Sequence, residues 1–158
     1  MTPRIALFLA VLLTALALVP GGAHLAALPN KIGLDRADYF TAQQIYAGWN
    51  LFGIVLFAAL AANLALALVL RRHGRPSGWA LAGGLLVAAN LAVFFAWTFP
   101  ANRATGNWTH QPADWERLRL QWELSHAGAA ILMLAALLCV LLAVLEQLPP
   151  GQHRRLDR

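Results

Sequence analysis

The chain is 158 residues long, 59% hydrophobic and only 12% charged, with a mean hydropathy of +0.58. A soluble domain of this length carries about 25% charged residues to cover its surface, so a water-soluble globule and a disordered chain are both excluded. The net charge of +5 comes from twelve Lys and Arg against seven Asp and Glu, and where those charges fall matters more than their sum.

Four stretches, 5–28, 45–70, 79–100 and 124–145, are long and nearly uncharged. Each exceeds the roughly 20 residues that cross a hydrocarbon core about 30 Å thick. They predict an all-α integral membrane protein, an antiparallel four-helix bundle forming one domain over 1–158 with no room for a separate soluble unit. Arg4, Arg71, Arg72, Arg75, Arg154, Arg155 and Arg158 then fall on one side, with Glu146 and Asp157 as the acids there. On the other side Lys31, Arg36, Arg103, Arg117 and Arg119 are balanced by Asp35, Asp38, Asp114, Glu116 and Glu123. Seven basic residues against five in short loops predict both termini in the cytoplasm. The positive charge is a topology signal and gives no support to a nucleic-acid partner. Eleven Arg against one Lys, with abundant Ala, point to a GC-rich bacterial gene and so to the plasma membrane.

The first span imitates a secretory signal: Arg4, an apolar run from Ile5, Pro20, then Gly21-Gly22-Ala23. Cleavage after Ala23 would leave His24 as an N-terminal copper chelator. Apolar residues continue through Leu28, however, and give the run full spanning length, so retention is expected, with a kink at Pro20 and glycines that let a neighbouring helix come close. Asp38 or Thr41 caps the turn that leads into the second span, where Tyr46 and Trp49 suit the headgroup level. Asn63 and Asn90 lie at matching depth and are expected to hydrogen-bond. The Arg71-Arg72-His73-Gly74-Arg75-Pro76 hairpin is a basic turn.

The third loop, 101–123, is far longer than a connector needs to be. A helix starting near Pro112 and running into the fourth span projects two to three turns outside the membrane. On it Trp115, Leu118 and Trp122 share one face, and Arg119, Trp122, Glu123 and His126 form a neighbouring patch at the outer mouth. His24, near the end of the first span, matches the depth of His126, and ionisable residues at membrane depth mark functional sites by default. Glu123 and His126 have Glu-x-x-His spacing, but the spans carry no second such pair, which argues against a di-iron site. Glu123 is better used on Arg119 or in orienting the His126 ring. The single Cys139 excludes thiol–disulfide exchange and a CxxC site.

Phe99-Pro100-Ala101-Asn102, Trp108, Pro112-Ala113-Asp114-Trp115 and the run from Leu118 through Arg119, Trp122, Glu123 and Ser125 to His126 resemble the signature of small anthrone-oxygenase-like membrane proteins, a group otherwise labelled a domain of unknown function. That signature is an aromatic-Pro-x-Asn ending the third helix, a Trp-containing loop, and a Trp-x-x-x-His entering the fourth. The likeness covers the four-helix layout and is specific over 99–126. Many relatives carry Arg soon after that His, where this chain has Ala127-Gly128-Ala129, and the segment from His24 to Lys31 matches less well. The resemblance implies oxidation of anthrones to anthraquinones by molecular oxygen with no metal or organic cofactor.

The residues fit that chemistry. A flat, weakly acidic substrate entering from the bilayer stacks on Trp108, Trp115 or Trp122 beside His24. His126 removes its benzylic proton, Glu123 or Trp122 positions the imidazole, and Asn102 or Arg103 stabilises the enolate oxygen. Two other readings stand beside this one at the level of sequence: a non-enzymatic membrane module with anchoring tryptophans, and a cofactor protein binding haem through His24 and His126 or copper at His24.

Overall fold

The computed structural model describes residues 1–148. Arg154, Arg155 and Arg158, which enter the charge balance above, lie outside the described residues, as do His153 and Asp157. In chain order the elements are α1 (Pro3–Lys31), α2 (Arg36–Gln43), two single 3-10 turns (Gln44–Tyr46 and Trp49–Leu51), α3 (Phe52–Arg72), α4 (Gly78–Val93), a π segment (Phe94–Thr98), α5 (Phe99–Ala104) and α6 (Trp115–Glu146). Among the described residues four helical runs are long and apolar enough to cross a membrane: Pro3–Lys31, Trp49–Arg72, Gly78–Ala104 and Trp115–Glu146. They pack as a closed ring, α1 against α3 and α6, and α4 against the same two.

The bundle is packed with small residues inside and large ones outside. Ala6, Ala10, Thr14, Ala17, Gly21, His24 and Lys31 form the buried stripe of α1, at spacings of three, four and seven that keep one helical face inward. Phe8, Leu12, Leu16, Ile54, Phe57, Leu85, Ile131, Leu134 and Leu138 all point outward and are exposed. In water such a continuous apolar surface would aggregate; in lipid it is the solvated face, and helices associate through close packing of small residues. Two core layers follow. One gathers Ala6, Ala10, Leu66, Leu70, Ala80, Val140 and Ala143. The next gathers Ala17, Ala59, Val87, Met133 and Ala136.

α1 begins at the Thr2 cap, whose hydroxyl accepts from Ile5 N at 3.4 Å, and it runs unbroken through Pro20 and Pro29. Gly21 does bring a neighbour close, since a Cβ there would lie 3.3 Å from Ala130 Cα. Asn63 pairs differently from the sequence expectation. Its Nδ2 donates to Thr14 Oγ1 at 2.9 Å and to Ala59 O at 2.8 Å, so the cross-helix bond runs to α1 and Asn90 takes no part. Gly83 explains the geometry, because the absence of a side chain there lets Asn63 Oδ1 stand where a Cβ would be only 2.9 Å away.

At its C-terminal end α4 turns into the π segment. Phe99 N donates to Phe94 O, Pro100 has no N–H to continue the ladder, and Trp97 O instead accepts from Gln121 Nε2 of α6 at 2.8 Å. A buried Thr98–Ser125 hydroxyl pair at 2.7 Å pins the same junction. The third loop is shorter than the sequence suggested, because α5 extends to Ala104 and α6 starts at Trp115.

The close approach at Gly83 yields a prediction. Gly83→Ala pushes a methyl onto Asn63 Oδ1 and to 3.1 Å from Val140 Cγ2, and should destabilise the bundle by about 1–3 kcal/mol. Gly22→Ala, at a position with nothing within 4 Å, should leave the melting temperature in detergent unchanged or slightly raised. Equal melting of the two variants would contradict this packing.

Candidate functional site

At the end of the bundle where α1 stops and α6 starts, the small-residue core gives way to aromatic and charged side chains. α2 lies over this end. Its Asp35 cap accepts from Asp38 N at 2.9 Å, and its inner face presents Tyr39, Phe40 and Gln43, all buried. Tyr39 and Phe40 pack with Ala101, Trp108, Trp115, Leu118 and Trp122 into an outer aromatic layer. The predicted face of α6 is therefore observed, with Trp115, Leu118 and Trp122 all turned inward.

The centre of this layer is ionic. Lys31 Nζ lies 3.0 Å from Glu123 Oε1, with side chains 6% and 0% exposed. Tyr39 OH donates to the same oxygen at 3.0 Å. On its other side Lys31 Nζ stands 3.5 Å from His24 Nδ1, one heptad earlier on the same face of α1. Burying two charges is costly unless they are paired and further hydrogen-bonded, and here a phenol and an imidazole add to the ion pair at Glu123 Oε1 and Lys31 Nζ. Arg119 is not the partner of Glu123. Its Nη1 donates to Leu34 O at 2.6 Å, tying α6 to the turn after α1, while its guanidinium lies 4.6 Å from the Trp115 ring centroid.

His24 and His126 face each other with ring centroids 4.3 Å apart. Trp122 touches both, at 4.0 Å from His126 and 4.7 Å from His24, and Tyr46 and Trp49 cover His24 at 4.1 and 5.7 Å. The hydrogen bonds fix the tautomers. His126 Nδ1 lies 2.9 Å from Trp122 O; a carbonyl only accepts, so Nδ1 carries the proton and Nε2 presents a lone pair. His24 Nδ1 faces an ammonium, which only donates, so in the neutral ring His24 carries its proton on Nε2.

Asn102 accepts from Trp122 Nε1 at 2.7 Å and so sets the indole. Trp108 reaches the cluster from a strained loop. Gly106, Asn107 and Trp108 all have positive φ, of 55°, 55° and 66°, a region that costs a non-glycine residue about 1–2 kcal/mol. The strain is held by Trp108 N donating to Thr105 Oγ1 at 3.1 Å and by Gln44 Nε2 donating to Trp108 O at 3.1 Å. Four buried polar atoms around Tyr39 and Glu123 have no partner: Gln43 Nε2, Gln43 Oε1, Trp108 Nε1 and Glu123 Oε2.

Six of the eight residues singled out from the sequence thus converge: His24, Asn102, Trp108, Trp122, Glu123 and His126. Trp115 sits a layer outward against Phe40 and Tyr39, and Arg103 is exposed, its guanidinium 6.0 Å from the Phe99 ring. Sequence reasoning missed Lys31, Tyr39, Gln43 and Tyr46. The available signal was Lys31 itself, the chain's single lysine, seven residues after His24. Among the described residues no three His, Cys, Asp or Glu side chains converge as metal ligands would. Nor do His24 and His126 fit opposite faces of a haem iron: metal–nitrogen bonds of about 2 Å would hold the centroids roughly 6 Å apart, whereas they stand at 4.3 Å. No protein-family model matches the chain, and no curated protein or solved structure does.

Two predictions come from the ionic centre. Lys31→Met strands a buried carboxylate and should destabilise the protein by about 3–5 kcal/mol, whereas Lys31→Met with Glu123→Gln removes both charges and should cost well under half of that. Thermal melting in detergent reads the difference, and additive losses would argue against the pair. Burial, and then the Glu123 carboxylate it bonds, push the Tyr39 phenol well above its ordinary value of 10.0. The unfolded chain therefore ionises first as pH rises, and stability falls from that ordinary value upward. Tyr39→Phe should melt lower at neutral pH and lose less than the wild type on going to strong alkali; parallel pH profiles would refute the shift.

Proposed function

We propose that this protein is a membrane oxidoreductase that removes a proton from a flat, weakly acidic aromatic substrate at the outer mouth of an antiparallel bundle, for direct oxidation by molecular oxygen. The core layers support the antiparallel reading, because residue numbers rise through them in α1 and α4 while they fall in α3 and α6. The charge balance of the loops supports both termini in the cytoplasm. The resemblance to anthrone-oxygenase-like proteins supports an anthrone as the substrate, and no resident cofactor enters the reaction.

The observation that carries the reading is the bare Nε2 of His126. Its Nδ1–H is held by Trp122 O at 2.9 Å, which orients the ring and leaves the other nitrogen free to act as a base. In the proposed reaction Nε2 takes a benzylic proton and the C–H electron pair moves into the ring system. The carbanion reduces oxygen and bonds to it. Protonation gives a hydroperoxide, which loses its remaining C–H proton and, by O–O cleavage, water. The CH2 carbon becomes a carbonyl, one oxygen atom ends there and the other in water. Trp122, positioned by Asn102, lies beside both imidazoles, and Tyr46 and Trp49 are half-buried at the rim where an apolar substrate arrives from lipid. His126→Ala should lower anthrone turnover at least about 100-fold, followed as oxygen uptake and quinone absorbance, with the protein still folded in the membrane. Undiminished turnover would remove the base from the mechanism.

A second reading, a non-enzymatic module, draws on the direct ring contact at 4.3 Å between the histidines: the cluster then serves as a polar lock on the bundle's end. A wild-type protein that consumes no oxygen with any anthrone, together with a lower melting temperature for His126→Ala, would favour it.

A further inference from the structure

Arg103 is exposed, and the cation that the cluster itself buries, beside His24 and Glu123, is Lys31. The Lys31 ammonium has three N–H groups. Glu123 Oε1 at 3.0 Å and His24 Nδ1 at 3.5 Å take two of them. The remaining side faces the rings of Tyr46 and Trp122, with centroids at 4.8 and 5.2 Å, which are weak acceptors compared with oxygen. Next to it Glu123 Oε2 is buried without a partner.

We propose that Lys31 Nζ is the seat for a substrate oxygen, binding the carbonyl or phenolic oxygen of an aromatic ligand and stabilising the negative charge that gathers there when His126 takes the ring's benzylic proton. The proposal rests on the aromatic-substrate reading above and deepens it. Lys31, His24 and His126 stand around a single indole, at 5.2, 4.7 and 4.0 Å from the Trp122 ring centroid, so one flat ligand beside Trp122 reaches base and ammonium together. The step is a proton transfer alone. The C–H bond breaks, its electron pair passes through the conjugated ring to the oxygen, the proton goes to His126 Nε2, and Lys31 keeps all three of its own. Glu123 balances the ammonium in the resting site, and Oε2 is open to a hydroxyl on the ligand. Tyr46 ends the run that continues α2 and Trp49 begins the run that continues into α3, and only Ala47 and Gly48, the latter at φ 83°, join the two, so the Tyr46 ring over Lys31 sits at the break between two helical runs.

The probe is 1,2-dihydroxyanthraquinone, whose absorption moves to the red when its phenol ionises, added to protein in lipid nanodiscs at a pH well below the dye's own phenol pKa. The wild type should bind the dye in its red, ionised form. The double variant Lys31→Met with Glu123→Gln, which avoids an uncompensated buried carboxylate, should bind it only in the neutral form, with unchanged helicity and elution volume. Glu123→Gln alone, which keeps the ammonium, should retain the red band, and Lys31→Arg should restore part of it. A red band that survives loss of Lys31, or a wild type that fails to bind or to ionise the dye, overturns the proposal. Oxygen uptake with an anthrone is a separate readout, expected to fall at least about 100-fold in the double variant. A wild type that ionises the dye yet consumes no oxygen would refute the oxygenase and leave the oxygen seat supported.

Discussion

The ion pair between Lys31 and Glu123 constrains everything at the aromatic end of the bundle. Two opposite charges 3.0 Å apart, both buried, attract strongly, yet the cost of desolvating both is of the same order. The pair is therefore poorly described as a source of stability. It acts instead on register. One carboxylate oxygen receives the last residue of α1 and the hydroxyl of α2, so two segments separated in sequence are fixed against α6 at one height. Trp122 precedes Glu123 and His126 follows it within a turn, so the register that satisfies the carboxylate also sets the indole and the imidazole.

The rest of the bundle shows why this chemistry sits at an end. The helices approach so closely that Gly83, between the two core layers, and Gly21, beyond the second, are needed to let backbone and side chains by. Alanines fill the layers, and the Asn63–Thr14 bond with its brace to Ala59 O ties the middle across helices. Close packing of that kind supplies the association that lipid-facing leucines cannot, and it leaves no room there for a ligand. Bulk, charge and strain appear together beyond the alanine layers: the tryptophans, the buried pair, and the left-handed turn at Gly106–Trp108. Strain of that type persists only where surrounding contacts hold it, and Gln44 of the covering segment is one of those contacts.

How far the sequence could be read follows from the range of each interaction. The four spans were legible because hydropathy is additive along a chain and needs no partner. The inward face of Trp115, Leu118 and Trp122 was legible because helical spacing alone decides which side chains share a side, and the facing of His24 and His126 followed from matching depths. Asn63 was assigned the wrong partner because equal depth leaves azimuth open: Thr14, on α1, lies where Asn90 was expected. Lys31 was lost for a related reason. Charge counting treats each loop residue as solvated, and α1 runs three residues past the predicted end of the span, which turns the lysine from a loop charge into an inward one. Tyr39, read as part of a capping turn, became the third member of the cluster for want of any local signal that its helix folds back over α6.

The hydrogen bonds also divide labour between two rings that sequence alone treats as equivalent. With Trp122 O on one imidazole and the Lys31 ammonium on the other, the neutral pair is a base and a donor, not two bases. Charge accounting makes the arrangement suited to proton abstraction. Before the step the cluster holds one ammonium and one carboxylate, and sums to zero. If His126 alone gained a proton from bulk water, the enclosed site would carry an uncompensated positive charge, which the low dielectric penalises. If the proton comes from a bound substrate, the new imidazolium arrives with a new anion, and the sum stays at zero. In the proposed reaction a bound substrate would preserve that balance, and a proton taken from bulk water would not.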